Sequence, residues 1–403
     1  MRSNNRVYMP AVDHLRAAAA ALVVIFHGVQ MLRTDHDPVT PGMQPTWVYT
    51  RNPVETFLTE GHTGVALFMV LSGFILTTGS LGRNIDYRSF LRNRLLRVGP
   101  LFLVLLLIAL VVSGQRFSLM GALQTTLGFA RFNGGFWSGP FSQLLWTIGV
   151  ELQFYVVFPF FLRLLDSRGP RPLVLFIACM MVLRVLAAAS APPGLDYNQM
   201  TYFSIVGRID QFLIGMLAAY LFPRVKRYVG QARVTVLALA VVVVALWGFN
   251  QIHGYAEPGL FRTVWVDVEG LVWALLLVSY VGTDRFGTGR LSSVLAWVGE
   301  RSYGIYLLHL PLISLLLIHH WRLHVLGGSV FDAAATAAVL VLPGALLLAT
   351  LSFAAVEQPF LSLRRRYVSL EPVASPVATS VPPAQPRENG IEDGRLPATR
   401  LRA

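Results

Sequence analysis

The sequence breaks into apolar runs of roughly 17–25 residues, the length an α-helix needs to cross a bilayer. Ten such runs lie near 11–32, 61–80, 98–113, 142–163, 172–190, 202–222, 234–250, 262–282, 303–319 and 333–356. In hydrocarbon each backbone N–H and C=O must find a partner within its own segment, so these runs are expected to be helices. Only 13% of the 403 residues are charged and 54% are hydrophobic. A soluble domain carries about 25% charged residues, and a single soluble core rarely grows to this size. The expected fold is an all-α polytopic membrane protein with about ten transmembrane helices. A weaker apolar stretch at 117–132 reads as an interfacial or re-entrant piece.

The net charge of +12 could point to nucleic acid, but its distribution points to topology. With the N-terminus in the cytoplasm, 25 of the 33 Lys and Arg residues fall in cytoplasmic segments and 6 on the opposite side. That asymmetry follows the positive-inside rule and puts both termini in the cytoplasm. Residues 1–366 form the expected transmembrane domain. Residues 367–403, rich in Pro, Ala, Ser and charge, read as a disordered cytoplasmic tail. The one cysteine, Cys179, allows no intrachain disulfide and no cysteine-based zinc site. No removable signal peptide is expected, and the first span serves as a retained anchor.

A charge at bilayer depth costs at least roughly 2.5–3.5 kcal/mol, which makes each ionisable residue in a span a candidate. These are Arg16, His27, Glu151, Arg184, Arg208, Asp210, Asp267, Glu269, His309 and Glu357. Arg16 and His27, in "DHLRAAAAALVVIFH", are close to three helical turns apart. They share a face, roughly 16 Å apart along the axis, with Arg16 near the cytoplasmic mouth. A basic entrance and a deep imidazole suit a ligand with an anionic head and a long reactive arm, the shape of acyl-coenzyme A. The alternative is an arginine snorkelling to headgroups and a histidine bonded to a neighbouring helix.

Other segments add candidates. Ser72 and Gly73 are small residues that let a helix or a ligand approach closely. Arg94 and Arg97 share a helix face and suit phosphate, or else anionic lipid. Glu151 either orients a histidine base or pairs with Arg184 or Arg208. Arg208 and Asp210, two apart, do not face each other. Each needs a partner elsewhere, either a hydroxyl-rich acceptor or a structural ion pair. Tyr303, Tyr306 and His309 form one polar stripe. His319, His320 and His324 lack the companion residues of a metal motif, so no metal is expected. No P-loop, dinucleotide fingerprint, nucleophile elbow or zinc-protease motif is present.

The ordered set Asp13–Leu15–Arg16…His27, "GVALFMVLSGFIL", Arg94-x-x-Arg97-x-x-Pro100, "WTIGVELQFYVVFP", "GRIDQFLIGML", "SYGIYLLHLPL" and "VEQPF" resembles the acyltransferase 3 family of membrane O-acyltransferases over residues 11–361. The resemblance implies a ten-span fold and an acyl-CoA co-substrate, commonly acetyl-CoA, used from the cytoplasm. It implies transfer to hydroxyls of polysaccharides, lipid-linked glycans or secondary metabolites such as macrolides. The family's critical first-span pair falls on Arg16 and His27, its Arg-x-x-Arg on Arg94 and Arg97, and its fourth-span glutamate on Glu151. Two positions depart from the family pattern. His14 stands where glycine is usual, and "WTIG" where "WSL" is usual.

These readings define the expected site. His27, Glu151 and Arg16 are catalytic, and Arg94, Arg97, Ser72 and Gly73 hold acyl-CoA. Arg208, Asp210, Tyr306 and His309 meet the acceptor. His27 acts as general base or carries the acyl group itself. A multi-pass protein of the bacterial cytoplasmic (inner) membrane that modifies an envelope glycan is the leading expectation, with membrane lipid and glycan or another hydroxyl acceptor as partners. A macrolide acyltransferase, a secondary transporter and a non-catalytic assembly protein are the alternatives.

Overall fold

A computed structural model describes residues 8–33, 48–113, 119–127, 141, 143–192, 201–254, 260–325, 327 and 329–372. The chain is helical almost throughout. Its helices are α1 (Pro10–Leu32), α2 (Pro53–Thr59), α3 (Gly64–Ser80), α4 (Tyr87–Ser113), α5 (Leu119–Thr126), α6 (Leu145–Arg168), α7 (Arg171–Ala189), α8 (Ile209–Val229), α9 (Ala232–Gln251), α10 (Leu260–Gly282), α11 (Gly289–Glu300), α12 (Ser302–Ile318) and α13 (Ser329–Ser362). Among the described residues, eight helices are long and apolar enough to cross a membrane, and nine if α11 and α12, bent by 65° at Arg301, are taken together. The remaining expected span is α8. Its 21 residues are long enough, but Asp210, Arg224, Lys226 and Arg227 make it more polar. Of the expected interfacial piece at 117–132, only residues 119–127 are described.

α1 occupies the centre of the bundle. It packs against α3, α10, α11, α12 and α13, and sixteen of its residues are buried. Its sequence explains this position. Alanines fill its first half, so neighbouring backbones come close without large side chains between them. A different device joins α3 to α8. A Cβ on Gly73 would collide with the carbonyl oxygen of Phe212, and one on Gly215 with the carbonyl oxygen of Val70. The two glycines thus form a reciprocal close contact that only hydrogen side chains permit. This corrects the expectation that Gly73 holds a co-substrate, because its missing side chain is used for helix packing.

α13 is 34 residues long and contains two π-turns, Ala337–Val341 and Phe353–Glu357. Such one-residue bulges frequently lie at functional sites. Here the first lies against α1, where Ala337 abuts Gly28, the neighbour of His27. The second carries the buried Glu357.

The chain does not lose its structure at residue 366. Val368–Pro372 pairs antiparallel with Arg83–Ile85 in a two-stranded ladder, and Tyr367 and Val368 are buried. The transmembrane unit therefore extends beyond the expected boundary. The remainder of the expected tail, 373–403, lies outside the described residues.

Replacing Gly73 with valine should force α3 and α8 apart. An overpacked core typically loses ~1–3 kcal/mol, so the variant is expected to melt earlier than wild type in detergent. Gly99→Ala in α4, where nothing lies within 4 Å of the added Cβ, should melt no earlier than wild type.

Candidate active site

The bundle encloses a cavity of about 200 Å³. Arg16, Arg94, Arg97 and Arg364 line one end, and Ser72, Glu151 and Tyr155 the middle. Thr147, Val65, Phe68 and Tyr306 also line it. The arginine end lies at the first turns of α1, beside the strand-bearing 83–97 segment.

The arginines come together because α4 continues from the ladder straight into its span. This holds Arg94 and Arg97 one turn apart over the cavity. The guanidinium of Arg94 stands 5.5 Å from the Phe90 ring centroid and 5.8 Å from those of Tyr155 and Tyr367. Arg364 follows α13, and Arg16 bonds Asp13 at 3.3 Å. Burial, and then repulsion from Arg97 and Arg94, push the Arg364 guanidinium down to about 10. It is still protonated at neutral pH. The repulsion itself would be relieved by a polyanion placed among the three, as charge-assisted Arg–phosphate contacts would do.

In the middle of the cavity, Ser72 Oγ donates to Glu151 Oε1 at 3.2 Å, and the Tyr155 hydroxyl donates to the same oxygen. Among the hydrogen bonds of the described residues, none joins Glu151 to His27. The expected Glu151–His27 orientation is replaced by a different pair. His309, fully buried, stands with Nε2 3.0 Å from Nδ1 of His27. His309 Nδ1 lies 3.3 Å from the Ile305 carbonyl oxygen, and His27 Nδ1 lies 3.0 Å from that of Val23.

One tautomer assignment satisfies all three contacts. His309 carries its proton on Nδ1 and donates it to Ile305, which leaves Nε2 as an acceptor. His27 carries its proton on Nδ1 and donates it to Val23 and to His309. Nε2 of His27 is then an unprotonated lone pair, the form a general base requires. His309 accordingly stands beside His27 rather than on the cavity wall where an acceptor contact was expected.

His27 is not itself part of the cavity lining. Tyr306 is, and its ring centroid lies 6.1 Å from that of His309, which lies 5.0 Å from that of His27. The histidine pair therefore sits one ring beyond the cavity wall. Tyr303 also lines the cavity, so two tyrosines of α12 stand on the cavity and the histidine stands behind them.

Arg208 and Asp210 are elsewhere. Asp210 is ion-paired to Arg184, whose second nitrogen bonds Asp267 at 2.7 Å. Arg208 lies 3.6 Å from Glu269 and 3.7 Å from the Tyr202 ring centroid. All five of these carboxylate and guanidinium groups are buried, and neither Arg208 nor Asp210 lines the cavity. The acceptor role expected of this pair gives way to a structural ion network joining α7, α8 and α10.

Two residues at the site had no role read from the sequence. Arg364 lies just past the last span and looked like topology. Glu357 is 2% exposed and interacts electrostatically with Arg97, Arg16 and Arg301. Its place in "VEQPF" on a buried helix was the available signal. The unusual His14 is structural. Nε2 lies 2.9 Å from the Ser292 carbonyl oxygen and Nδ1 lies 3.1 Å from the Tyr280 hydroxyl, which fastens α1 to α11 and α10.

The chain belongs to the acyltransferase 3 family, whose acyltransferase-domain model matches residues 9–354. It is 25% identical over 349 residues to YrhL of Bacillus subtilis, covering 78% of this chain and 50% of that protein. It is 25% identical over 346 residues to the peptidoglycan O-acetyltransferase OatA of Listeria monocytogenes, covering 77% and 50%. It is 22% identical over 332 residues to the O-acetyltransferase OatA of Staphylococcus aureus, covering 76% and 51%. The chain thus spans about half the length of the curated relatives it matches. No solved structure matches it.

Removing Arg184 would leave Asp210 and Asp267 as buried, uncompensated charges. Breaking a buried pair this way costs roughly 3–5 kcal/mol. Arg184→Ala is expected to melt far earlier than wild type, or to fail to accumulate. Arg94→Ala, at the cavity mouth, should fold normally.

Proposed function

We propose that this chain is a membrane O-acyltransferase that moves an acetyl group from cytoplasmic acetyl-CoA to a sugar hydroxyl of an envelope glycan of the peptidoglycan type. The observation that carries this reading is a cavity with an arginine-lined mouth and an inner wall, Tyr306, that backs onto the His27–His309 pair. Family membership and the activities for which the relatives are named support it. The basic-residue distribution supports a cytoplasmic-membrane location with the mouth facing the cytoplasm.

In this reading Arg94, Arg97 and Arg364 bind the phosphates of the donor, with Arg16 held beside them by Asp13. The pantetheine arm passes Ser72, Glu151 and Tyr155, and the thioester reaches Tyr306. His27 Nε2 takes the proton from the acceptor hydroxyl as its oxygen attacks the thioester carbonyl. The C–S bond breaks, and the departing thiolate takes the proton back from the His27 imidazolium. His309 holds His27 in the tautomer that makes this possible. Glu151 and Glu357 balance the positive charge along the path.

General base catalysis contributes typically 10²–10⁴-fold, so His27→Ala should lose at least a hundredfold in acetyl transfer, read as label moved from acetyl-CoA to a soluble muropeptide by purified chain. Arg94→Ala and Arg97→Ala should each raise the KM for acetyl-CoA roughly tenfold or more and leave the acceptor KM unchanged. Wild-type turnover by His27→Ala would refute the base assignment. A normal donor KM in both arginine variants would refute the donor path.

A further inference from the structure

Gln30 lies on α1 three residues beyond His27, so the two side chains lie on adjoining parts of one face. It is only 5% exposed, yet among the described residues neither Oε1 nor Nε2 of its carboxamide has a hydrogen-bond partner. A buried amide left unpaired is costly, and in native structures such groups are almost always met by protein, water or ligand. Gln30 therefore calls for a partner that the described residues do not supply.

Its position indicates which side that partner comes from. Arg16 and the rest of the donor mouth lie on the N-terminal side of His27. Gln30 lies on the C-terminal side, ~21 Å along the helix axis from Arg16. Gln30 is not part of the lining of the donor cavity. The unpaired amide thus lies beyond the histidine, on the far side of it from the donor mouth, the side from which a second substrate would come.

We propose that Gln30 positions the acceptor, hydrogen-bonding a hydroxyl or acetamido group of the incoming sugar next to the hydroxyl that reacts at His27. A carboxamide offers two donors and an acceptor oxygen in one plane. This matches a vicinal hydroxyl or an N-acetyl group on a sugar and requires no charge on the acceptor. Gln30 is then a positioning and specificity residue, and this role rests on the acyl-transfer reading above.

The test uses the full chain in lipid nanodiscs, with labelled acetyl-CoA as donor and a soluble muropeptide as acceptor, comparing wild type with Gln30→Met and Gln30→Asn. Gln30→Met keeps the volume and removes the amide. Loss of one such hydrogen bond should raise the muropeptide KM roughly tenfold. The acetyl-CoA KM and the acceptor-independent hydrolysis of acetyl-CoA should stay within about twofold. Gln30→Asn, which keeps a shorter amide, should fall between.

The melting temperature separates this role from a structural one. An amide with no protein partner adds nothing to the fold, so Gln30→Met should melt no lower than wild type. An unchanged muropeptide KM would overturn the proposal, as would equal changes in donor and acceptor KM or a lowered melting temperature. If wild type hydrolyses acetyl-CoA but transfers nothing to muropeptide, the glycan reading itself fails, and that failure is visible before any variant is compared.

Discussion

A charge inside a bilayer must be paired, and this requirement organises the whole molecule. Arg184 holds two aspartates and Arg208 faces Glu269, so the charges in one half of the bundle are consumed by one another. These pairs join helices distant in sequence, and removing one member is far more costly than never having had the pair. The cavity mouth is arranged differently. Arg94, Arg97 and Arg364 crowd together closely enough for their repulsion, added to burial, to push the Arg364 guanidinium down. Charges that satisfy one another hold the fold, and charges that repel one another mark a place for an anion.

The histidine pair follows the same logic with hydrogen bonds in place of charges. Two backbone carbonyls, of Val23 and Ile305, lie against the two Nδ1 atoms. The single contact between the rings then leaves the remaining lone pair of His27 on Nε2. A carboxylate beside His27 would have introduced a buried charge needing its own compensation. A second imidazole orients the base while remaining neutral. Glu151 is thereby left to the cavity wall, where Ser72 and Tyr155 satisfy it.

Much of this was legible in the sequence. The ten apolar runs recur as helices, with α8 the most polar, and the three-turn spacing of Arg16 and His27 places both on one face of the central helix. What was not legible depends on contacts between segments far apart in the chain. His309 was read as an acceptor contact because its stripe with Tyr303 and Tyr306 was visible, whereas its neighbour His27 lies 282 residues away. Gly73 looked like room for a ligand, but the backbone that fills that room belongs to Phe212. Asp210 looked unpartnered because Arg184 sits on another span. The ladder between Arg83–Ile85 and Val368–Pro372 was hidden for a similar reason, since a composition rich in Pro and Ser does not reveal a strand partner near the start of the chain.

The most direct test of the account is the structure of the chain with coenzyme A bound in a lipid nanodisc. The phosphates are expected among Arg94, Arg97 and Arg364, the pantetheine arm along Ser72 and Glu151, and the thiol at Tyr306, on the path to His27. Coenzyme A bound outside this cavity, or in it with the thiol toward the arginines, would contradict it.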